Sequence, residues 1–200
     1  MIGSHTILAL LWIFYCVLHS LLASEEIKKN LQKSFERNYK YYRLFYTVFA
    51  FLFLGALLYY QISIPTIELY SPQEIVFATG IILAFCGVIL MLVCIKKYFI
   101  GLSGLLSLVQ ENASQDLIIT GVHKYVRHPL YLGTFAFIWG LFLVFPYLSL
   151  LITDAIITIY TLIGIKLEED KLINEFGESY KLYQKRVPMI IPFTKTQQRF

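Results

Sequence analysis

Apolar residues gather into five long stretches, at residues 6–23, 44–64, 75–95, 130–144 and 148–165, and the segments between and after them hold almost all of the charged residues and all of the prolines. A helix needs about 20 apolar residues to cross a bilayer, so each stretch reads as a membrane-spanning helix, the fourth being short for a full crossing. Only Phe145, Pro146 and Tyr147 join the last two, which predicts an antiparallel helical hairpin. The expected fold is therefore all-α and polytopic, with about five transmembrane helices in one membrane domain over residues 1–200. A three-helix part occupies 1–100 and a second part 101–200. Residues 101–120 are only mildly apolar and carry Gln110, Glu111, Asn112, Ser114 and Asp116, which suggests an amphipathic element at the membrane surface, suited to act as a lid.

Composition narrows the function classes. The chain is 58% hydrophobic, 16% aromatic and 15% charged, with a mean hydropathy of +0.64, well outside the range of a water-soluble domain. Five spans in 200 residues leave no room for a separate soluble catalytic domain. The formal charge of +4 comes from residues scattered through short loops, which fits an anionic lipid surface and not nucleic acid. All 17 Lys and Arg fall in three segments, after the first, third and fifth spans, and five spans put those three on one side. The positive-inside rule makes that side cytoplasmic and the N-terminus external. The first stretch has no basic segment before it and no cleavage site after it, so it is expected to remain as a span. Cys16, Cys86 and Cys94 lie inside apolar stretches without the spacing of a zinc clip and read as small buried side chains.

The chemistry concentrates on the cytoplasmic side of the final hairpin. In Gly121-Val122-His123-Lys124-Tyr125-Val126-Arg127-His128-Pro129-Leu130-Tyr131-Leu132-Gly133, Pro129 is suited to be the first residue of helix four. Arg127 and His128 then stand at a helix N-terminus, whose N–H groups and dipole attract a carboxylate or phosphate. Gly133, one turn in, permits close approach of another backbone or a ligand. At the end of helix five, Glu168 and Glu169 point about 100° apart, so that one can face a pocket while the other meets a cation or water. The hairpin brings the two clusters together, giving an anion site beside a cation site. His19 and Arg43 read as side chains that brace helices or snorkel, His5 as terminal, and Tyr39, Tyr41, Tyr42, Phe45 and Tyr46 as an interfacial aromatic belt. His123 and His128 have no Cys or carboxylate at ligand spacing, so no metal site is expected.

These motifs carry a resemblance. The stretch G-V-H-K-Y-V-R-H-P-L-Y-L-G, followed by E-E-D-K-L-I-N-E-F-G-E-S-Y-K-L-Y-Q-K-R-V-P-M-I-I-P-F at residues 168–193, resembles the core of the isoprenylcysteine carboxyl methyltransferase family over the C-terminal part of the chain. The segment Leu18-His19-Ser20-Leu21-Leu22-Ala23-Ser24 and the later Tyr42-Arg43-Leu44-Phe45-Tyr46 look nearer to small bacterial relatives, the NnrU-type proteins and the methanethiol methyltransferases. The resemblance implies a membrane methyltransferase with S-adenosylmethionine as cofactor, in a bacterial or archaeal inner membrane. Gly121, His123, Tyr125, His128, Tyr131 and Glu168 would line the cofactor pocket, and Arg127, Glu169 and Arg186 would face the methyl acceptor.

The acceptor would arrive from the bilayer or be a small thiol. If it is a carboxylate, Arg186 or Arg127 would hold it; if it is a thiol or amine, Glu169 is a candidate to take a proton. Other readings are a non-catalytic NnrU-like protein, a small transporter, and a phospholipid N-methyltransferase.

Overall fold

The computed structural model describes residues 2–24, 27, 31, 33, 41–65, 67–102, 117 and 119–192. Most of the segment expected to form a lid, residues 103–116 and 118, lies outside the described residues, as do Tyr39 and Phe193. The described helices are α1 (Ile2–Ala23), α2 (Tyr42–Ser63), α3 (Glu74–Leu102), α4 (Pro129–Val144), α5 (Leu148–Phe176) and α6 (Glu178–Arg186), with a 3₁₀ turn at Gly121–Lys124. Four of them, α1, α2, α3 and α5, are long and apolar enough to cross a membrane. The apolar α4 has 16 residues, about 24 Å at ~1.5 Å per residue, against a hydrocarbon layer of about 30 Å. The protein is an integral membrane protein built of helices.

The chain divides into two compact units. One holds α1, α2, the segment that follows α2, and the first turns of α5. Leu8, Trp12 and Leu57 form its buried core, covered by Leu11, Tyr15, Phe53, Ile156 and Ile157. Beside them Gln61 Oε1 accepts hydrogen bonds from the Trp12 indole at 3.3 Å and the Thr153 hydroxyl at 2.9 Å. In a membrane interior such pairing replaces the water these groups would otherwise bind. Asp154, 2% exposed, lies next to Thr153 with its Oδ2 unbonded among the described residues.

His19 does act as a brace: the Tyr46 hydroxyl sits 2.9 Å from its Nδ1, and Tyr42 donates to the carbonyl of Leu22 at 2.8 Å. The expected aromatic belt is thus split, since Tyr41 and Phe45 are exposed while Tyr42 and Tyr46 turn towards α1. His5, expected to be terminal and uninformative, is buried. The tight turn between α4 and α5 is tied to the segment after α2: Leu69 donates to Pro146 at 2.8 Å and Leu148 to Ile67 at 2.9 Å.

The other unit holds most of α3, α4, the remainder of α5, and α6. Here α3 and α4 meet through glycines. A Cβ on Gly140 would stand 2.5 Å from the Ala84 nitrogen, and one on Gly87 would stand 2.6 Å from the Gly133 carbonyl oxygen. Small residues allow such backbone contact, the main source of helix attraction where no hydrophobic effect operates. The α4–α5 hairpin is fastened by the Trp139 indole donating to Thr158 at 3.1 Å. Gly177, at φ +55°, then reverses the chain, and α6 folds back so that Tyr180, Tyr183 and Val187 cover Leu172, Ile173 and Phe176. Cys16 and Cys94 are buried as expected, but Cys86 is exposed. A span that is apolar on every side also has a face for lipid, and Cys86 lies on it.

Gly140→Ala should destabilise the protein by about 1–3 kcal/mol through backbone overlap at Ala84. Gly55→Ala, where nothing stands within 4 Å, should leave it unchanged or raise stability by up to about 1 kcal/mol. Thermal unfolding in detergent compares the two.

Candidate functional site

The R-H-P motif is fixed through its backbone first. The N–H of Arg127 donates to Pro188 at 2.9 Å and that of His128 to Met189 at 3.1 Å, so the two sequence clusters are joined by a pair of backbone hydrogen bonds. Pro188 takes part through its carbonyl alone, so its missing N–H loses nothing. Pro129 begins α4, as its fixed φ favours. Upstream, Gly121 at φ +65° opens the 3₁₀ turn that carries His123. His123 Nδ1 lies 3.1 Å from the Arg127 carbonyl, and the Tyr183 hydroxyl donates to the His123 carbonyl at 2.6 Å.

Glu169 is the centre of the side-chain arrangement. Its Oε1 accepts from Arg127 Nε at 2.6 Å, His128 Nε2 at 3.1 Å and the Tyr180 hydroxyl at 3.3 Å, and its Oε2 accepts from Gln184 Nε2 at 2.9 Å. The side chain is 13% exposed, so four donors hold a carboxylate that has little water. Burial, with the Glu169 carboxylate beside it, pushes the Tyr180 phenol above its usual range, which keeps it a donor. Arg127 is bound further by Nη1, which donates to the carbonyls of Gln184 at 3.2 Å and Val187 at 2.6 Å. The guanidinium expected to meet an external anion is thus largely committed to Glu169 and the end of α6. Its Nη2 makes no hydrogen bond among the described residues.

Glu168, one residue earlier, is turned the other way. Its side chain is 47% exposed, and its Oε2 accepts from the Tyr131 hydroxyl at 3.2 Å and lies 3.8 Å from His128 Nδ1. The rings of His128 and Tyr131 stack at 5.8 Å between centroids. Tyr125, 53% exposed, stands just after the 3₁₀ turn. The structure therefore gathers Arg127, His128, Tyr131, Glu168 and Glu169 around one another, with His123 bonded to this group through the Arg127 carbonyl. Arg186 closes α6. Tyr180 and Gln184, absent from the residues singled out in the sequence, supply two of the four donors to Glu169. Their spacing of four, on one face of a short helix after Gly177, was the available signal. Among the described residues no group of three His, Cys, Asp or Glu side chains is placed to hold a metal ion.

A family model described as "Protein of unknown function (DUF1295)" matches residues 3–187, most of the chain and every side chain described in this site. The chain belongs to the DUF1295 family. Among curated relatives, methanethiol S-methyltransferase 1 of Bradyrhizobium diazoefficiens is 32% identical over 201 residues, which cover 94% of this DUF1295 chain and 66% of that protein. Methanethiol S-methyltransferase of Crocosphaera subtropica is 42% identical over 73 residues, 36% of this chain and 27% of that one. Protein-S-isoprenylcysteine O-methyltransferase of Schizosaccharomyces pombe is 36% identical over 86 residues, 42% of this chain and 36% of that one. The chain spans less than two thirds of the length of each of these relatives. No solved structure matches it.

The two adjacent glutamates are expected to part company on mutation. Glu169→Gln leaves Arg127 buried without its counter-charge and should destabilise the protein by about 3–5 kcal/mol. Glu168→Gln, at a half-exposed site, should stay within about 0.5 kcal/mol of the parent. Chemical or thermal unfolding of the two purified variants measures the contrast.

Proposed function

We propose that this protein is a membrane methyltransferase that uses S-adenosylmethionine and methylates a small thiol. The observation that carries the reading is the half-exposed carboxylate of Glu168, an acceptor that suits an ammonium group, beside the buried ring of His128 and the hydroxyl of Tyr131. The residues present fit the cofactor's methionine portion. Its ammonium would meet Glu168, its sulfonium the aromatic faces of Tyr131 and His128, and its carboxylate the positive charge of Arg186 and of Arg127 Nη2. Gly121, His123 and the exposed ring of Tyr125 would border the remainder. When bound, S-adenosylmethionine supplies an activated methyl group on a positively charged sulfur.

The residues of the chain then have three tasks: to hold the donor, to aim the acceptor in line with the methyl, and to keep water away. Glu169 keeps its four partners in register and so fixes where His128 and Arg127 stand. Similarity over 94% of the chain to a protein named for methanethiol methylation, against 42% and 59% for two named for isoprenylcysteine methylation, favours a thiol acceptor over a carboxylate. The segregation of all 17 basic residues supports an N-terminus outside and a site on the cytoplasmic side of a bacterial or archaeal inner membrane.

Calorimetric titration into detergent-purified protein should show saturable S-adenosylmethionine binding. Glu168→Gln should weaken it at least about tenfold, because a charge-assisted hydrogen bond is worth about 1.5–3 kcal/mol. With labelled methyl donor and methanethiol, label should appear in a volatile thioether. Label in the lipid extract would instead indicate a phospholipid amine, and label in a prenylated peptide a carboxylate. Folded protein that binds no S-adenosylmethionine would leave the non-catalytic or transporter reading.

A further inference from the structure

A thiol is a poor nucleophile until it loses its proton, so an enzyme of the kind proposed above needs a group to receive it. The neighbouring carboxylates are poorly suited. Glu169 is bonded to four donors, one of them a guanidinium at 2.6 Å, which leaves its lone pairs committed and its negative charge stabilised. Glu168 already accepts from Tyr131 and faces the position assigned to the cofactor's ammonium.

His128 is different. Its Nε2 lies 3.1 Å from Glu169 Oε1, and an ionised carboxylate only accepts, so Nε2 carries the ring proton. Nδ1 is then the nitrogen with the lone pair. It makes no hydrogen bond among the described residues and lies on the side of the half-exposed Glu168. The charged and titratable groups described around the ring are Glu168 and Glu169 of α5, Tyr131 of its own helix, the adjacent Arg127, and Tyr180 of α6 across Glu169. The ring itself is buried, 6% exposed.

We propose that Nδ1 of His128 accepts the proton of the thiol acceptor during methyl transfer, an assignment that rests on the thiol reading above. As the S–H bond breaks, its proton forms the new N–H bond at Nδ1. The thiol sulfur uses its electron pair to bond the methyl carbon. The pair of the broken carbon–sulfonium bond stays on the donor sulfur and cancels its positive charge. One cation therefore disappears beside His128 as the imidazolium forms, so the local charge is conserved and the proton transfer is not opposed by a nearby sulfonium. Release of the proton to water restores the ring. Glu169 and its donors act on this step indirectly, by fixing the tautomer.

The test pairs His128→Gln, whose amide N–H can still donate to Glu169, with two thiols: ethanethiol, largely protonated at neutral pH, and thiophenol, largely ionised. With ethanethiol the variant should lose at least about 100-fold in kcat/KM. With thiophenol the loss should be at least about tenfold smaller than with ethanethiol, each measured at saturating S-adenosylmethionine so that any change in cofactor affinity cancels. Equal fold losses on both thiols would overturn the assignment. A readout independent of turnover is nitrogen NMR of the parent protein labelled at histidine. A neutral His128 ring with the proton on Nε2 at neutral pH supports the proposal; an imidazolium or an Nδ1–H ring refutes it. A parent that binds S-adenosylhomocysteine but methylates neither thiol would remove the thiol reading itself, and this assignment with it.

Discussion

A carboxylate with little access to water has to be surrounded by donors, and Glu169 imposes that demand on three parts of the chain at once. Arg127 and His128 answer it from the start of α4, Tyr180 and Gln184 from α6, while α5 supplies the acid itself. A lone charge left there would be strongly unfavourable. The satisfied cluster is therefore a condition for the local fold before it is anything else. This is why the short α6 is held against α5 by more than Tyr180, Tyr183 and Val187 on their apolar neighbours.

Once that demand is met, the rest of the site's geometry follows. Arg127 can extend little towards a ligand, because Nε and Nη1 are engaged. His128 is left with one nitrogen occupied and one open. Glu168, a residue away in sequence, looks outward because a helix turns by about 100° per residue. Two glutamates of identical chemistry thus acquire different settings from position alone: one is enclosed by four donors, the other is half-exposed.

Much of this was legible in the sequence, and the parts that were not share a cause. The spans, the hairpin and the meeting of the two polar clusters follow from hydropathy and from a three-residue connection. Gly133 was readable as a point of close approach, although its facing Gly87 was not. Where a helix is apolar all round, no stripe tells which side faces protein, so Cys86 was expected inside and lies outside. The direction of the Arg127 guanidinium could not be read because it depends on carbonyls of residues 184 and 187, nearly sixty positions away. Tyr42 and Tyr46 suit an interfacial belt by type, and only their bonds to Leu22 and His19 reveal a different use.

The pair of backbone bonds from Arg127 and His128 to Pro188 and Met189 also has a consequence for biosynthesis. The apolar stretches need only their own hydrophobicity to enter the bilayer, and the α4–α5 hairpin is complete when residue 176 has been made. The loop ahead of α4 must wait for its partners until the ribosome has added Met189 and released it. Insertion and maturation of the cluster are thus separate events in time, and a nascent chain halted between them would be threaded through the membrane with its polar centre still open.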